Sequence, residues 1–238
     1  MTHRDVQQAL RKIADPKRAT SSARFFKTGK GEYGEGDKFL GIRVPNQRAI
    51  AHRHLDLPRS EISKLLAGAY HEDRFTALEI LVAQYERATR ADQAQIVKFY
   101  LAHTNRINNW DLVDTSAPYI LGHYLFYKPK EMKILKKLAA SNNIWERRIA
   151  IIATLYFIGK GRFDETIALA AQLLRDKHDL IQKAVGWALR EVGKRDANVL
   201  EKFLATRASR MPRTMLRYAI EKLTKEKRDL YLRGTMGI

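Results

Sequence analysis

Along most of the chain, apolar residues recur three and four positions apart. Ser60-Glu61-Ile62-Ser63-Lys64-Leu65-Leu66 and Glu131-Met132-Lys133-Ile134-Leu135-Lys136-Lys137-Leu138 show the spacing, which gathers an apolar stripe onto one helical face. No sustained two-residue alternation and no Asn-Gly or Asp-Gly hairpin signal occurs. Short polar clusters separate the periodic stretches. Many begin with a side chain able to cap a helix: Asp15, Ser60, Asn109, Asn143, Asp164 and Asp179. The pattern predicts an all-α protein.

The helix starts repeat. Asp73, Asn109, Asn143 and Asp179 each open a strongly apolar helix, at spacings of 36, 34 and 36 residues. Each such helix follows a shorter amphipathic one, as 131–140 precedes 143–158 and 164–175 precedes 178–193. Paired helices at this period predict an α-solenoid of the HEAT-like type, in which each pair buries its apolar face on its neighbours. The tetratricopeptide consensus is not reproduced. A single HEAT-like repeat domain over 1–238 is expected, with a concave, basic groove suited to a duplex.

Residues 29–38, Gly29-Lys30-Gly31-Glu32-Tyr33-Gly34-Glu35-Gly36-Asp37-Lys38, break the pattern. Gly29, Gly31 and Gly34 match the G-x-G-x-x-G spacing, but a helix precedes them where a dinucleotide site needs a strand, and more loop follows where it needs a helix. A mobile connection closing over the groove is the expectation here.

Charge narrows the partner. Forty-four Lys and Arg against 26 Asp and Glu give a formal net charge of +18, a surplus that favours polyanions through counterion release. The chain has no cysteine, so disulfides, thiolate metal sites and cysteine nucleophiles are excluded. Apolar runs such as Ile149-Ala150-Ile151-Ile152-Ala153 are far short of a membrane span. The N-terminal stretch has no signal-peptide character. A cytoplasmic, nucleoid-associated monomer that avoids membranes is expected. Lys128, Lys130, Lys133, Lys136 and Lys137 form one basic cluster and Arg207, Arg210, Arg213 and Arg217 another, with Pro212 starting a new helix between them. As groups they would place a duplex without reading its sequence.

Few residues suit catalysis. The seven histidines include no His-Glu-x-x-His and no metal-ligand spacing, and no Gly-x-Ser-x-Gly elbow occurs. No metal and no cofactor are expected. The three tryptophans stand on successive apolar helices, each with a charged residue one turn on: Trp110 with Asp114, Trp145 with Arg148, Trp187 with Arg190. Aromatic residues at helical spacing commonly serve cores, and Trp145 fits that role. Asp114 could simply pair with Arg147 or Arg148. Yet a ring face and a carboxylate on one helical face both stabilise positive charge. A cationic alkylated purine is already an activated leaving group. Its departure leaves an oxocarbenium-like sugar that a carboxylate can stabilise while orienting water. This chemistry is permissive rather than specific.

Trp110-Asp111-Leu112-Val113-Asp114, Asn142-Asn143-Ile144-Trp145-Glu146-Arg147-Arg148 and Gln182-Lys183-Ala184-Val185-Gly186-Trp187-Ala188-Leu189-Arg190-Glu191 together resemble the AlkD family of DNA alkylation repair glycosylases. Phe39-Leu40-Gly41-Ile42-Arg43-Val44-Pro45 resembles the same family's N-terminal signature. The resemblance covers about residues 20 to 225. It implies a monofunctional enzyme that hydrolyses the N-glycosidic bond of 3-methyladenine and 7-methylguanine in double-stranded DNA for base excision repair, without flipping the base into a pocket. It implies catalytic roles for Asp114, Trp110 and Trp187 and a DNA-backbone contact at Arg148, with Arg190, Lys183 and Phe25 as further DNA-contact positions. Two features depart from the family. Phe25 stands where a tyrosine can occur, and the 29–38 insertion is absent from shorter members. An alternative use of the same scaffold is non-catalytic binding of branched or damaged DNA; a protein-interaction solenoid with incidental basicity is a second.

Overall fold

The computed structural model describes residues 1–234, which are helical and contain no β-strand. The chain divides into two compact units, Met1–Ser116 and the part from Ala117 onward. In the first unit the helices are α1 (His3–Arg11), α2 (Pro16–Phe25), α3 (Val44–His52), α4 (Arg59–Leu66), α5 (His71–Arg87), α6 (Arg90–Ala102) and α7 (Trp110–Ser116). In the second they are α8 (His123–Phe126), α9 (Lys133–Ala139), α10 (Ile144–Gly159), α11 (Asp164–Gln172), α12 (Asp179–Gly193), α13 (Ala197–Arg207), α14 (Arg213–Ile220) and α15 (Lys225–Arg233).

The two predicted pairs in the second unit are present, as Lys133–Ala139 before Ile144–Gly159 and Asp164–Gln172 before Asp179–Gly193. Asp15 and Asn143 cap their helices, their side chains accepting from the Arg18 and Trp145 N–H groups. Ser60, Asp164 and Asp179 lie within the first turn instead, after Pro58, Phe163 and His178. There an acidic side chain still meets the positive end of the helix dipole. Pro212 precedes α14 as predicted.

Helix α5 is the centre of the first unit, with α1, α3, α4, α6 and α7 packed on it. Its apolar positions Phe75, Ala77, Leu78, Ile80, Leu81 and Tyr85 are buried. Because neighbours surround the helix, its polar first turn is buried too. His71, Glu72, Asp73 and Arg74 are each 3% exposed or less, a position that charged groups occupy only when paired. Asp73 therefore sits inside the helix, two residues after its start. Glu72 is met by backbone donors: its carboxylate accepts from Leu40 N–H at 2.9 Å, Gly41 N–H at 2.8 Å and Ile42 N–H at 3.2 Å. Gly41 makes this wrap possible. Its φ of +80° suits glycine, and an added Cβ would lie 2.2 Å from the Asp15 carbonyl oxygen.

Helix α10, apolar on nearly every face, fills the same central role in the second unit, against α9, α11 and α12. It also packs on the turn Pro118–Gly122, which is wound as a π-helix with the Gly122 N–H bonded to the Ala117 carbonyl at 2.9 Å. Helix α12 presents Ile181, Ala184, Val185, Ala188, Leu189 and Val192 to its neighbours, the stripe that three- and four-residue spacing dictates.

The 29–38 segment is bonded both to itself and to the elements beside it. Glu32 and Glu35 accept from the Gly29 and Gly31 N–H groups at 2.9 and 2.8 Å. The Gly34 N–H donates to the Lys27 carbonyl at 3.1 Å. It is built as a folded turn.

Candidate functional site

Helix α7 carries Trp110 and Asp114 one turn apart, both half-buried. Its start is fixed locally by the Asn109 carbonyl oxygen of the side chain, 2.8 Å from the Trp110 N–H. Near its end, Ser116 donates to the Leu112 carbonyl at 2.6 Å and shares a hydrogen bond of 3.0 Å with the buried Tyr100 hydroxyl. Burial pushes the Tyr100 phenol up; its bond to Ser116 opposes this and the charge of Asp114 adds to it.

The Trp110 ring stands among other rings. Phe26 stacks on it at 5.3 Å between centroids, and Phe25 meets it edge-on at 5.9 Å, geometries favoured by the ring quadrupoles. Phe25 is 66% exposed, so the DNA-contact position read from the sequence is an outward-facing aromatic beside Trp110. Phe26 stacks in turn on Phe39, and Phe39 on His71, at 5.0 and 4.7 Å.

His71 is the residue that sequence reasoning missed. Its Nε2 lies 2.7 Å from Asp111 Oδ2 and its Nδ1 3.5 Å from Asp37 Oδ2. Arg74 donates to the other Asp37 oxygen at 2.6 Å. Burial is the largest influence on the imidazole and pulls its pKa down. The charge and hydrogen bond of Asp111, with the bond to Asp37, outweigh it and raise the pKa to about 9. Burial likewise pushes the Asp37 carboxyl up, but His71 and Arg74 beside it hold it below its usual range. Two cations and two carboxylates thus form a neutral quartet under the aromatic rings. No local spacing could have shown it, since Asp37 and Asp111 are 34 and 40 residues from His71.

The second unit holds the other predicted residues. Trp187 is half-buried on α12, one turn before Glu191. The neighbouring Gly186 sets the depth of the helix: an added Cβ would lie 2.5 Å from Tyr218 Cβ and 2.6 Å from the Met215 carbonyl oxygen of α14. Arg148 is only 5% exposed and donates to the Leu180 carbonyl at 2.8 Å, tying α10 to the first turn of α12. Arg190 is engaged by Glu221 and, at 3.6 Å, by Glu191. Lys183 pairs with Asp179 at 2.7 Å. Trp145 is 7% exposed and belongs to the core. Arg147 is held by Asp176 at 2.7 Å and also donates to the Ser141 and Asn142 carbonyls. The five clustered lysines from Lys128 to Lys137 are exposed, as are Arg210, Arg213 and Arg217, whereas Arg207 lies over the Phe203 ring.

Among the described residues, no group of three or more His, Asp or Glu could hold a metal ion, and no helix is long and apolar enough to cross a membrane.

A family model described as DNA alkylation repair enzyme matches residues 6–223. The chain belongs to the DNA alkylation repair enzyme family. Both the Trp110–Asp114 helix and the Trp187 helix fall within the matched span. Among solved structures, this DNA alkylation repair family member is similar to a protein described as a predicted DNA alkylation repair enzyme from Enterococcus faecalis. The TM-score is 0.70 at 19% identity, over 89% of this chain and 97% of that one. It is also similar to smu.31 from Streptococcus mutans UA159, with a TM-score of 0.50 at 17% identity over 97% and 96% of the two chains. At these identities the likeness is one of fold. No curated relative matches the chain.

Proposed function

We propose that this DNA alkylation repair family member is a monofunctional glycosylase. It releases cationic N3- and N7-alkylated purines, 3-methyladenine and 7-methylguanine, from duplex DNA. The observation that carries the reading is the pair on α7: Trp110 and Asp114 lie one turn apart and half-buried, with Trp110 backed by rings. A half-buried carboxylate acts through a lower effective dielectric than bulk water and stabilises a nearby cation more strongly.

In this reading the glycosidic bond breaks with the alkylpurine leaving as a neutral base, so no general acid is required. The sugar passes through an oxocarbenium-like state. Asp114 stabilises that charge and orients the attacking water, and the Trp110 face adds its quadrupole. Trp187 is assigned the same role toward deoxyribose. Arg148 is assigned a phosphate, and Arg190, Lys183 and the exposed Phe25 further DNA contacts. Activation comes from the lesion's own charge, so the base need not be extruded into a snug cavity as ordinary base flippers require.

The test is release of 7-methylguanine from methylated duplex DNA. The wild type releases the base, and Asp114→Asn lowers the rate by about 10²–10³ with duplex binding retained. An Asp114→Asn variant with the wild-type rate removes the carboxylate from the chemistry. Tight duplex binding with no release by the wild type favours the non-catalytic DNA binder instead.

A further inference from the structure

A ring that must face a reacting sugar has to be held in place, and the first unit contains an arrangement that does so for Trp110. The Trp110 ring stacks on Phe26 at an interplanar angle of 18°, and Phe26 closes a triangle of rings with Phe39 and His71, whose centroids lie 5.0, 4.7 and 4.9 Å apart. The His71 ring is the buried corner of that triangle, 3% exposed. That imidazole is also bonded to Asp111, the residue after Trp110 on α7. Backbone and ring of Trp110 are therefore referred to one buried group, through Asp111 on one side and through Phe26, which lies against both the indole and the imidazole, on the other. The second carboxylate on His71 is Asp37, from the 29–38 turn, itself clamped by Arg74.

We propose that His71 is a positioning residue for Trp110, and that the 29–38 turn is a brace whose Asp37 completes the clamp. The effect on rate rests on the glycosylase reading; the effect on Trp110 does not. An imidazole that bonds two carboxylates must donate from both nitrogens, which only the protonated ring can do. The charged groups facing it are Asp111 from α7, Asp37 from the turn and Arg74 from α5; Phe26 and Phe39 bring none. Losing the proton therefore removes one of the two bonds and loosens the ring cluster behind Trp110.

The test uses full-length protein labelled with fluorotryptophan and read by fluorine NMR, with the Trp110 resonance assigned from Trp110→Phe. In the wild type, raising the pH moves the Trp110 resonance with a midpoint near the His71 pKa of about 9, while Trp145 and Trp187 stay fixed. In His71→Gln the Trp110 resonance is displaced at neutral pH and the pH step disappears. Asp37→Asn, which leaves α7 and the histidine intact, lowers the midpoint and carries the test if His71→Gln does not fold. Both folded variants release 7-methylguanine more slowly in single turnover, by about 10–10², the cost of ångström-scale misplacement, with little change in duplex affinity. A Trp110 resonance matching the wild type in position and pH dependence in Asp37→Asn, or in folded His71→Gln, overturns the proposal. Absence of release by the wild type overturns the glycosylase reading and leaves the fluorine result to decide the positioning role.

Discussion

Replacing Glu72 by glutamine changes one atom and keeps the shape, so it isolates the charge that the Leu40–Ile42 segment wraps. The carboxylate accepts three backbone N–H groups from a side chain that is 2% exposed as a residue. A glutamine can turn its one oxygen toward the Gly41 and Ile42 donors, but its amino group then faces the Leu40 N–H, donor against donor. The two surviving bonds lose their charge assistance, roughly 1 to 1.5 kcal/mol each, and the unpaired buried donor costs about 1–3 kcal/mol more. These net values already include the cost of taking the carboxylate out of water, so the destabilisation is about 3–6 kcal/mol. Urea unfolding of the full chain followed by circular dichroism measures it, with exposed Glu86→Gln as the control that should stay within about 0.5 kcal/mol of wild type. If Glu72→Gln loses less than about 1 kcal/mol, the backbone wrap contributes little and the burial of Glu72 needs another explanation.

Three further outcomes are expected. His71 has its pKa raised from 6.5 to about 9 on folding. Its contribution, on the order of 3 kcal/mol, is complete below the unfolded value and lost as pH rises through the folded one; unfolding free energies measured across that range should fall more steeply in the wild type than in His71→Gln. Gly186→Ala forces a methyl into the Met215 and Tyr218 contacts and should destabilise by about 1–3 kcal/mol; calorimetry showing an unchanged midpoint would mean that α12 and α14 separate freely. Duplex affinity should drop about 10³-fold between roughly 50 and 200 mM salt if six phosphates are neutralised, and a flat salt profile in a filter-binding or anisotropy assay would discard the polyanion reading.

The helices and their pairing were legible because burial on one face leaves a three- and four-residue spacing that survives in the sequence. The Trp110–Asp114 pair was legible for the same reason, since one turn of helix fixes the relation between its ends. The first turn of α5 was not. His71-Glu72-Asp73-Arg74 has the composition of a solvated helix start, and the sequence placed the opening of the helix at Asp73. Tertiary packing overrides that reading. Five helices surround α5, and the partners of its polar residues arrive from Asp37, Leu40–Ile42 and Asp111, at distances along the chain that no window can see. The bonds of the 29–38 turn were not legible for a related reason: its glycines suggest freedom, whereas its glutamates accept from its own backbone and Asp37 reaches Arg74 on α5. Arg190 and Lys183 show the converse: the sequence marks them as cations, and only the fold reveals the carboxylates already beside them.

The buried imidazole also makes folding a proton-binding reaction. The formal charge of +18 counts every histidine as neutral, so a folded molecule that keeps His71 protonated at neutral pH carries one positive charge more than that sum. Beside a surplus of +18, one more buried positive charge changes the attraction to a polyanion little. It would be visible instead as stoichiometry. Unfolding slightly above neutral pH should release close to one proton per molecule from this group, and the unfolding enthalpy should then shift between buffers by their own heats of protonation.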